Sequence, residues 1–278
     1  MQFSASLGAW LAPLRQASQQ PPLQPRCALW CNGLRIGSVG PGVFESVGAV
    51  EAVQDSGGAL AWQPQVLAAQ GAGWQLTVPD PTAALNALAL RLRAHGHCGP
   101  WRNEQLDVYA ADGAWCATVE RGAVRVLGVA TQAVHLLGLA PDGRMWVQQR
   151  AFNKPTHPGK WDTLMGGMVS AGDSLPAALA RETQEEAGLA LAQLHSLRQG
   201  GYVDFACPSA EGVEGEGYMQ ERIHWFQAVV PTGVVPQNMD GEVVQFQCIT
   251  VQQLQQWLLE DRFTPEASLI LADYLGDG

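Results

Sequence analysis

The chain has 278 residues, of which 47% are hydrophobic and 15% are charged, and its mean hydropathy is -0.03. These values are typical of a soluble globular protein and exclude a disordered chain, and the length predicts two domains. A formal net charge of -10 at pH 7 argues against general affinity for nucleic acid or anionic membrane, because both need clustered Lys and Arg.

The first part of the chain is predicted to contain two helices separated by short strands. A helix candidate spans Ser6–Gln19, and the run CALWCNGLRIGSV is typical of strands. The run PDPTAALNALALRLRAHG predicts the second helix, because Asp80 can cap it, Pro81 suits its first turn and Gly96 ends it.

The second part of the chain combines strands with a few helices. The predicted strands are Val124–Leu139, Met145–Gln149, Ile223–Val230 and Val243–Ile249, and the predicted helices are Ser174–Ala187, Val251–Leu259 and Thr264–Tyr274. This mixture predicts an α+β protein or an α/β/α sandwich. We place the domain boundary so that residues 1–120 form an N-terminal accessory domain and residues 121–278 form the second domain.

One predicted helix concentrates charge in an otherwise weakly charged chain. Glu182, Glu185 and Glu186 stand at i, i+3 and i+4, so they share one helix face. Two like charges about 4 Å apart repel by on the order of 4 kcal/mol at an effective dielectric of ~20, and the single Arg181 cannot offset three carboxylates. A divalent cation can, and Mg²⁺ accepts such oxygen ligands together with substrate phosphates. The pattern therefore predicts metal-assisted attack of water on a phosphoryl group, with one carboxylate as base.

The spacing around this helix resembles the Nudix box. Gly167, Asp173 and the run RETQEEAGL at Arg181–Leu189 follow its pattern of Gly, Glu and R-E-U-x-E-E-x-G-U, where U is apolar. Asp173 stands where the family has Glu, and Thr183 stands at an apolar position. The resemblance implies a Nudix α/β/α sandwich with a mixed sheet, beside a smaller N-terminal α+β domain. It also implies a loop–helix–loop that binds Mg²⁺ or Mn²⁺ and hydrolyses a diphosphate linked to another moiety, X.

The resemblance also implies roles for individual residues of the box. Glu182 is expected to be the general base or a metal-bridging carboxylate, with Arg181 orienting it. The implied metal ligands are the backbone carbonyl of Gly166 and the side chains of Glu182, Glu185 and Glu186. Gly167, Asp173 and Gly188 are expected to support the box, and the shorter Asp173 is expected to alter metal affinity without abolishing activity.

Residues outside the box complete the expected site. Nudix enzymes often add a carboxylate from beyond the helix, and Glu242 in DGEV is favoured over Glu221. Three cations, Arg150, Lys154 and Lys160, lie directly upstream of the glycine turn in this acidic chain. Since Arg grips phosphate through two donors and Lys acts as a point charge, these three are expected to bind the substrate.

The segments WRNE, GVATQAVHLLG and DGEV extend the resemblance to a two-domain Nudix branch of plants, fungi and bacteria. Some members of that branch resemble enzymes that hydrolyse thiamine diphosphate or its oxidised analogues, which implies release of the monophosphate. Two alternatives stay open. The run KPTHPGKWD suggests an isopentenyl-diphosphate isomerase-like enzyme, and the fold also suits a non-catalytic nucleotide-binding sensor.

The expected partner is therefore a small-molecule diphosphate, with neither nucleic acid nor membrane, and the sequence leaves a homodimer open. The N-terminus lacks the positive region and apolar core of a signal peptide, and no run reaches ~18 apolar residues. A cytoplasmic location is the resulting expectation.

Overall fold

The computed structural model describes residues 2–48, 61–67 and 71–276. Its helices are α1 (Gln2–Ser18), α2 (Val43–Ser46), α3 (Pro81–Ala94), α4 (Leu175–Ala187), α5 (Val251–Leu259) and α6 (Pro265–Tyr274). Its strands are β1 (Cys27–Cys31), β2 (Leu34–Val39), β3 (Ala61–Leu67), β4 (Gly71–Thr77), β5 (Gln105–Tyr109), β6 (Trp115–Glu120), β7 (Ala130–Leu139), β8 (Met145–Arg150), β9 (Trp161–Asp162), β10 (Met165–Met168), β11 (His195–Pro208), β12 (Tyr218–Val229) and β13 (Val243–Ile249).

A four-stranded sheet in the order β2-β1-β4-β3 forms the first layer of the N-terminal half. Strands β1 and β4 run parallel, and the other two pairs are antiparallel. Helix α3 begins as predicted, because the Asp80 side chain accepts a hydrogen bond from the backbone N–H of Ala83 at 3.0 Å. Its Leu85 and Leu92 share one buried cluster with Leu29 of the sheet, so burial of this face holds α3 on the sheet.

The larger sheet has seven strands, with the path β11-β12-β7-β8-β13 and with β10 on β7 and β9 on β8. It is mixed, since β12 and β7 are parallel while the other pairs are antiparallel. Val134 of β7 packs with Leu179 of α4, whereas Leu137 packs with Leu11 of α1 and Ile270 of α6. Helices thus cover both faces, and the predicted α+β fold with an α/β/α sandwich is confirmed.

The strand expected at Val124–Leu139 begins later, at Ala130. The preceding residues form a 3₁₀ turn at Arg121–Ala123, and Gly128 adopts a φ of 55°. The carbonyl oxygen of Leu127 accepts a hydrogen bond from the backbone N–H of Ser38 at 2.9 Å. The backbone before Ala130 therefore forms a hydrogen bond with the first sheet and does not extend β7. The apolar composition of this segment alone does not indicate that contact.

Strand β11 was missed by the sequence reasoning. It is the edge strand next to β12, and most of its residues from His195 to Gly200 are exposed. A strand whose side chains face mainly solvent lacks the apolar alternation that marks a half-buried strand. Its partner β12 also begins at Tyr218, earlier than the predicted Ile223.

The cluster around the first sheet continues past residue 120, because it includes Val124, Val126, Leu127 and Val129. The domain boundary at residues 120 and 121 stays a prediction. In the ranges that the structure describes, none of the helices combines the length and apolar character needed to cross a bilayer.

Substitution of Gly37 tests the contact between β2 and the turn before β7. A Cβ at Gly37 would overlap the carbonyl oxygen of Leu127, so Gly37→Ala should lower the free energy of unfolding by about 1–3 kcal/mol. Gly8 of α1 is the control, because a Cβ there would meet no described atom. Gly8→Ala should raise the free energy of unfolding by about 0.5–1 kcal/mol. Urea denaturation measures both, and wild-type stability in Gly37→Ala would contradict the contact.

Candidate active site

The charged helix α4 has well-defined ends. The Ser174 hydroxyl accepts a hydrogen bond from the backbone N–H of Ala177 at 3.3 Å. Gly188 ends the helix with a φ of 63°, and its N–H donates to the carbonyl oxygens of Gln184 and Thr183. These ends fix the length of α4, so Arg181, Glu182 and Glu186 are presented to strand β10 from a rigid element.

Two consecutive glycines of β10 leave room for side chains of β7 and α4. Strand β10 pairs with β7, and Gly166 lies opposite His135 in this register. A Cβ at Gly166 would overlap the ring of His135, and a Cβ at Gly167 would overlap the carboxylate of Glu182. Gly167, predicted as part of the box, therefore makes room for Glu182 beside the strand backbone, whereas Gly166 makes room for the ring of His135.

Arg181 joins the acidic side chains of the box. Its Nη1 donates to Glu182 Oε1 at 2.7 Å and lies 3.2 Å from Glu185 Oε2, and its Nε donates to Asp173 Oδ2 at 3.2 Å. Its Nη2 donates to the carbonyl oxygen of Met168 at 3.2 Å. One guanidinium thus ties α4 to the preceding loop, and Asp173 reaches it despite the shorter side chain.

Glu182 and Glu186 are buried, with 8% and 5% of their surface exposed. Glu186 Oε2 accepts hydrogen bonds from Gln148 Nε2 at 2.9 Å and from the backbone N–H of Gly166 at 3.1 Å. Burial raises the pKa of Glu186 to about 8, although these donors lower it. Burial also raises the pKa of Glu182, and Arg181 offsets part of that effect. An ionised Glu186 is therefore costly unless a positive charge approaches it.

A second group of carboxylates meets Glu186 from the loop before β13. Single ligand oxygens of Glu186, Asp240 and Glu242 all lie within 4.8 Å of one another. The backbone N–H of Glu242 donates to Asp240 Oδ1 at 2.8 Å, and Gly241 between them has a φ of 84°. This tight turn directs both acids to one place. Glu242 was predicted, whereas Asp240 was missed although it begins the same DGEV run.

The other predicted ligands lie elsewhere. Glu185 is exposed and contacts Arg181. Glu221 is buried in an ion pair with Arg125 Nη2 at 2.8 Å and accepts from Thr131 Oγ1 at 2.7 Å. Burial favours the neutral acid, but Arg125 and Thr131 outweigh it and hold the pKa of Glu221 below its usual range. Of the two candidates outside the box, only Glu242 joins Glu186.

The three predicted substrate-binding cations have different surroundings. Arg150 lies 3.5 Å from Asp162 Oδ2, and its buried Nε has no hydrogen-bond partner among the described residues. Lys154 forms a close ion pair with Glu242. Lys160 pairs with Asp261 at 2.8 Å. Lys154 thus lies at the carboxylates, and Arg150 lies in the wall of a cavity. Lys160, in contrast, is bound to the turn between α5 and α6.

The box loop is braced from the N-terminal half of the chain. Glu104 accepts hydrogen bonds from Ser170 Oγ at 2.6 Å and from Arg121 Nη1 at 2.8 Å. Ser170 in turn accepts from Arg181 Nη2 at 3.0 Å. Asp107 of β5 accepts from the N–H of Gly172 at 2.9 Å. The WRNE segment, noted in the sequence only for its resemblance, therefore helps to position Arg181.

A cavity of about 360 Å³ adjoins β10. Gly166 and Gly167 belong to its wall, together with His135 and Arg150. The same two glycines contact Glu186 and Glu182, so a single strand joins the cavity to the buried carboxylates. Its volume falls in the lower part of the range for small-molecule sites.

The α/β/α sandwich brings together an arginine, buried glutamates and a glycine pair, and a cavity adjoins them. This arrangement is typical of a site for a small molecule. The family model described as NUDIX domain matches residues 130–274, which is more than half of the chain. The chain belongs to the Nudix family.

Relatives and solved structures resemble the chain over part of its length. Nudix hydrolase 24, chloroplastic, of Arabidopsis thaliana is 28% identical over 162 residues, which cover 57% of this chain and 43% of that protein. Isopentenyl-diphosphate Delta-isomerase of Leifsonia xyli is 34% identical over 86 residues, covering 31% of this chain and 46% of the isomerase. A crystal structure of DR0079 from Deinococcus radiodurans is 18% identical with a TM-score of 0.45, covering 58% and 92% of the two chains. The chain spans less than half the length of the curated relatives it matches first.

The raised pKa of Glu186 gives a pH dependence of stability. Between the ordinary value of 4.5 and about 8, the native protein binds a proton that the unfolded chain lacks, so stability should rise as pH falls from about 8 to about 5. In Glu186→Gln this contribution is absent. Thermal unfolding in chelator should show the wild type gaining several degrees more than Glu186→Gln over this interval, with exposed Glu214→Gln as control. Equal pH profiles for all three proteins would contradict the buried environment of Glu186.

Proposed function

We propose that the chain is a divalent-metal-dependent hydrolase of X-linked diphosphates. Water attacks one phosphorus, the bridging P–O bond breaks, and the products are X monophosphate and orthophosphate. The buried acids Glu182 and Glu186 support this proposal most strongly, because both contact the strand that forms part of the cavity wall and Glu186 also meets the carboxylates of Asp240 and Glu242. Membership of the Nudix family supports the same reaction class.

The carboxylates suit Mg²⁺ or Mn²⁺, since both cations accept oxygen ligands. Glu186, Asp240 and Glu242 would hold the ion, with Glu182 near it; Glu185 and the carbonyl of Gly166 remain ligands implied by the family resemblance. When bound, the cation supplies charge neutralisation and polarisation of the phosphoryl oxygens. The fit rests on Glu186, because its buried carboxylate receives only neutral donors from Gln148 and Gly166.

Glu182 is the proposed base that accepts the proton of the attacking water. Arg181 binds Glu182 Oε1, which orients the carboxylate and leaves Oε2 for the water. Burial raises the pKa of Glu182, and a base whose pKa approaches the working pH is the more effective. Gly167 is needed for this geometry, because any side chain there would displace the carboxylate.

Arg150 and Lys154 are the proposed phosphate ligands. The partnerless Nε of Arg150 is consistent with a donor kept for the substrate. Lys154 pairs with Glu242 and can exchange that carboxylate for a phosphate oxygen. Lys160 forms an ion pair with Asp261 and would bind a phosphate only if this ion pair broke.

The finer assignments extend this proposal. We propose thiamine diphosphate or its oxidised analogues as substrates, residues 1–120 as an accessory domain that helps to select X, and a cytoplasmic location. The cavity volume of about 360 Å³ lies within the range of small-molecule sites. A homodimer would be compatible with every contact described above.

Activity of two glutamine variants tests the proposed roles. Glu182→Gln and Glu186→Gln should each lower kcat by at least ~10²-fold, because one loses the base and the other a charged ligand. Orthophosphate is measured with thiamine diphosphate and oxythiamine diphosphate, and the monophosphate products are separated and measured with ADP-ribose, dinucleotides and NADH, each with Mg²⁺ or Mn²⁺. Glu214→Gln, an exposed glutamate, serves as the matched control and should retain wild-type kcat.

Three outcomes would contradict the proposal. Full activity in Glu182→Gln would contradict the role of Glu182 as the base, and full activity in Glu186→Gln would contradict the role of Glu186 as a metal ligand. Conversion of isopentenyl diphosphate into its double-bond isomer without phosphate release would favour the isomerase alternative. Tight nucleotide binding without turnover of any diphosphate would favour the sensor.

A further inference from the structure

The cavity beside β10 is enclosed by segments that lie outside the matched family region as well as inside it. Helix α1 contributes Leu14 and Ala17, and the first turn of α6 contributes Glu266. The part of the wall nearest the carboxylates is formed by Gly166 and Gly167. The cavity between β10, α1 and the start of α6 is thus the space that adjoins the carboxylates across these two glycines.

Most charges in this wall already have a partner. Arg125 and Glu221 form an ion pair at 2.8 Å, with 7% of each side chain exposed. Arg150 lies 3.5 Å from Asp162. No ion pair joins Glu211 or Glu266 of this wall to any residue that the structure describes, and the hydrogen bonding of Glu266 is confined to its own backbone.

The first turn of α6 does not need Glu266 as its cap. Thr264 fills that position, since its hydroxyl accepts a hydrogen bond from the N–H of Ala267 at 3.1 Å. Burial raises the pKa of Glu266 to about 7, and the nearby carboxylates of Asp162 and Glu221 add to the rise. An acid near its midpoint at neutral pH can accept a hydrogen bond when ionised and donate one when protonated.

We propose that Glu266 determines substrate specificity by accepting a hydrogen bond from an N–H group of the X moiety, and that X is a nitrogen heterocycle carrying such a donor. The inference rests on the proposed diphosphatase function and deepens it. The apolar side chains of Leu14 and Ala17 pack against the ring, and Glu266 accepts the hydrogen bond from its N–H group. A site built around a buried polar group rejects ligands that leave this group without a partner, so an X group without a donor would be bound less well.

Kinetics of two Glu266 variants test the inference with the full chain. Thiamine diphosphate and ADP-ribose carry an amino-bearing heterocycle, whereas isopentenyl diphosphate has an apolar X. In Glu266→Leu, kcat/KM should fall about 10- to 100-fold for the first two, as for loss of a hydrogen bond to a charged group. Turnover of isopentenyl diphosphate should stay within about threefold. Glu266→Gln keeps an acceptor oxygen and should fall between the wild type and Glu266→Leu, and exposed Glu214→Leu should match the wild type.

The outcomes separate this inference from the proposed function. An equal loss for all three substrates, or no loss for any of them, overturns the role of Glu266 while leaving the diphosphatase intact. If the wild type cleaves no diphosphate, the proposed function fails, and calorimetry in chelator with thiamine monophosphate and AMP then decides the inference. Binding that is at least about 10-fold weaker in Glu266→Leu supports it, whereas equal affinity or no binding of either probe overturns it. Circular dichroism of each variant confirms folding.

Discussion

Burial of two glutamates against the backbone of one strand is the constraint on which the site depends. Glu182 and Glu186 lie one helical turn apart on α4 and both contact β10, where Gly167 leaves room for the Glu182 carboxylate and the N–H of Gly166 donates to Glu186. Removing carboxylates from water is unfavourable without compensation. Arg181 compensates Glu182 directly, whereas Glu186 receives only neutral donors. Lys154 acts on Glu186 only through its charge, so a cation bound there, as proposed above, would offset the burial of this acid.

The rest of the chain maintains that arrangement from both sides. Caps at Ser174 and Gly188 set the length of α4, and the DGEV turn brings two more acids to Glu186. Glu104 holds Ser170, which contacts Arg181, so the N-terminal half supports the guanidinium that orients the proposed base. The site is consequently formed by residues of the N-terminal half, the box and the DGEV turn, and not by the box alone.

Much of this organisation was predictable, because local chemistry determines it. Helices α5 and α6 have their predicted bounds, since a threonine cap and, in α6, a following proline are visible in the sequence. Long-range placement was less accessible. Asp240 becomes a neighbour of Glu186 only when the loop before β13 closes on α4. The prediction that Lys160 binds phosphate stays untested, and its ion pair with Asp261, 101 positions later, is a long-range contact that the local sequence does not indicate. Strand β11 lacked a signal because solvent covers most of its first half.

The central claim is that Glu186, together with Asp240 and Glu242, holds a divalent cation that offsets the cost of an ionised and buried Glu186. Anomalous diffraction from crystals grown with Mn²⁺ and a non-hydrolysable diphosphate tests it directly. The account predicts an anomalous peak in coordinating contact with carboxylate oxygens of Glu186, Asp240 and Glu242, bridged to the diphosphate. A diphosphate bound elsewhere, with no peak at these oxygens and Glu186 still bonded only to Gln148 and Gly166, would contradict it.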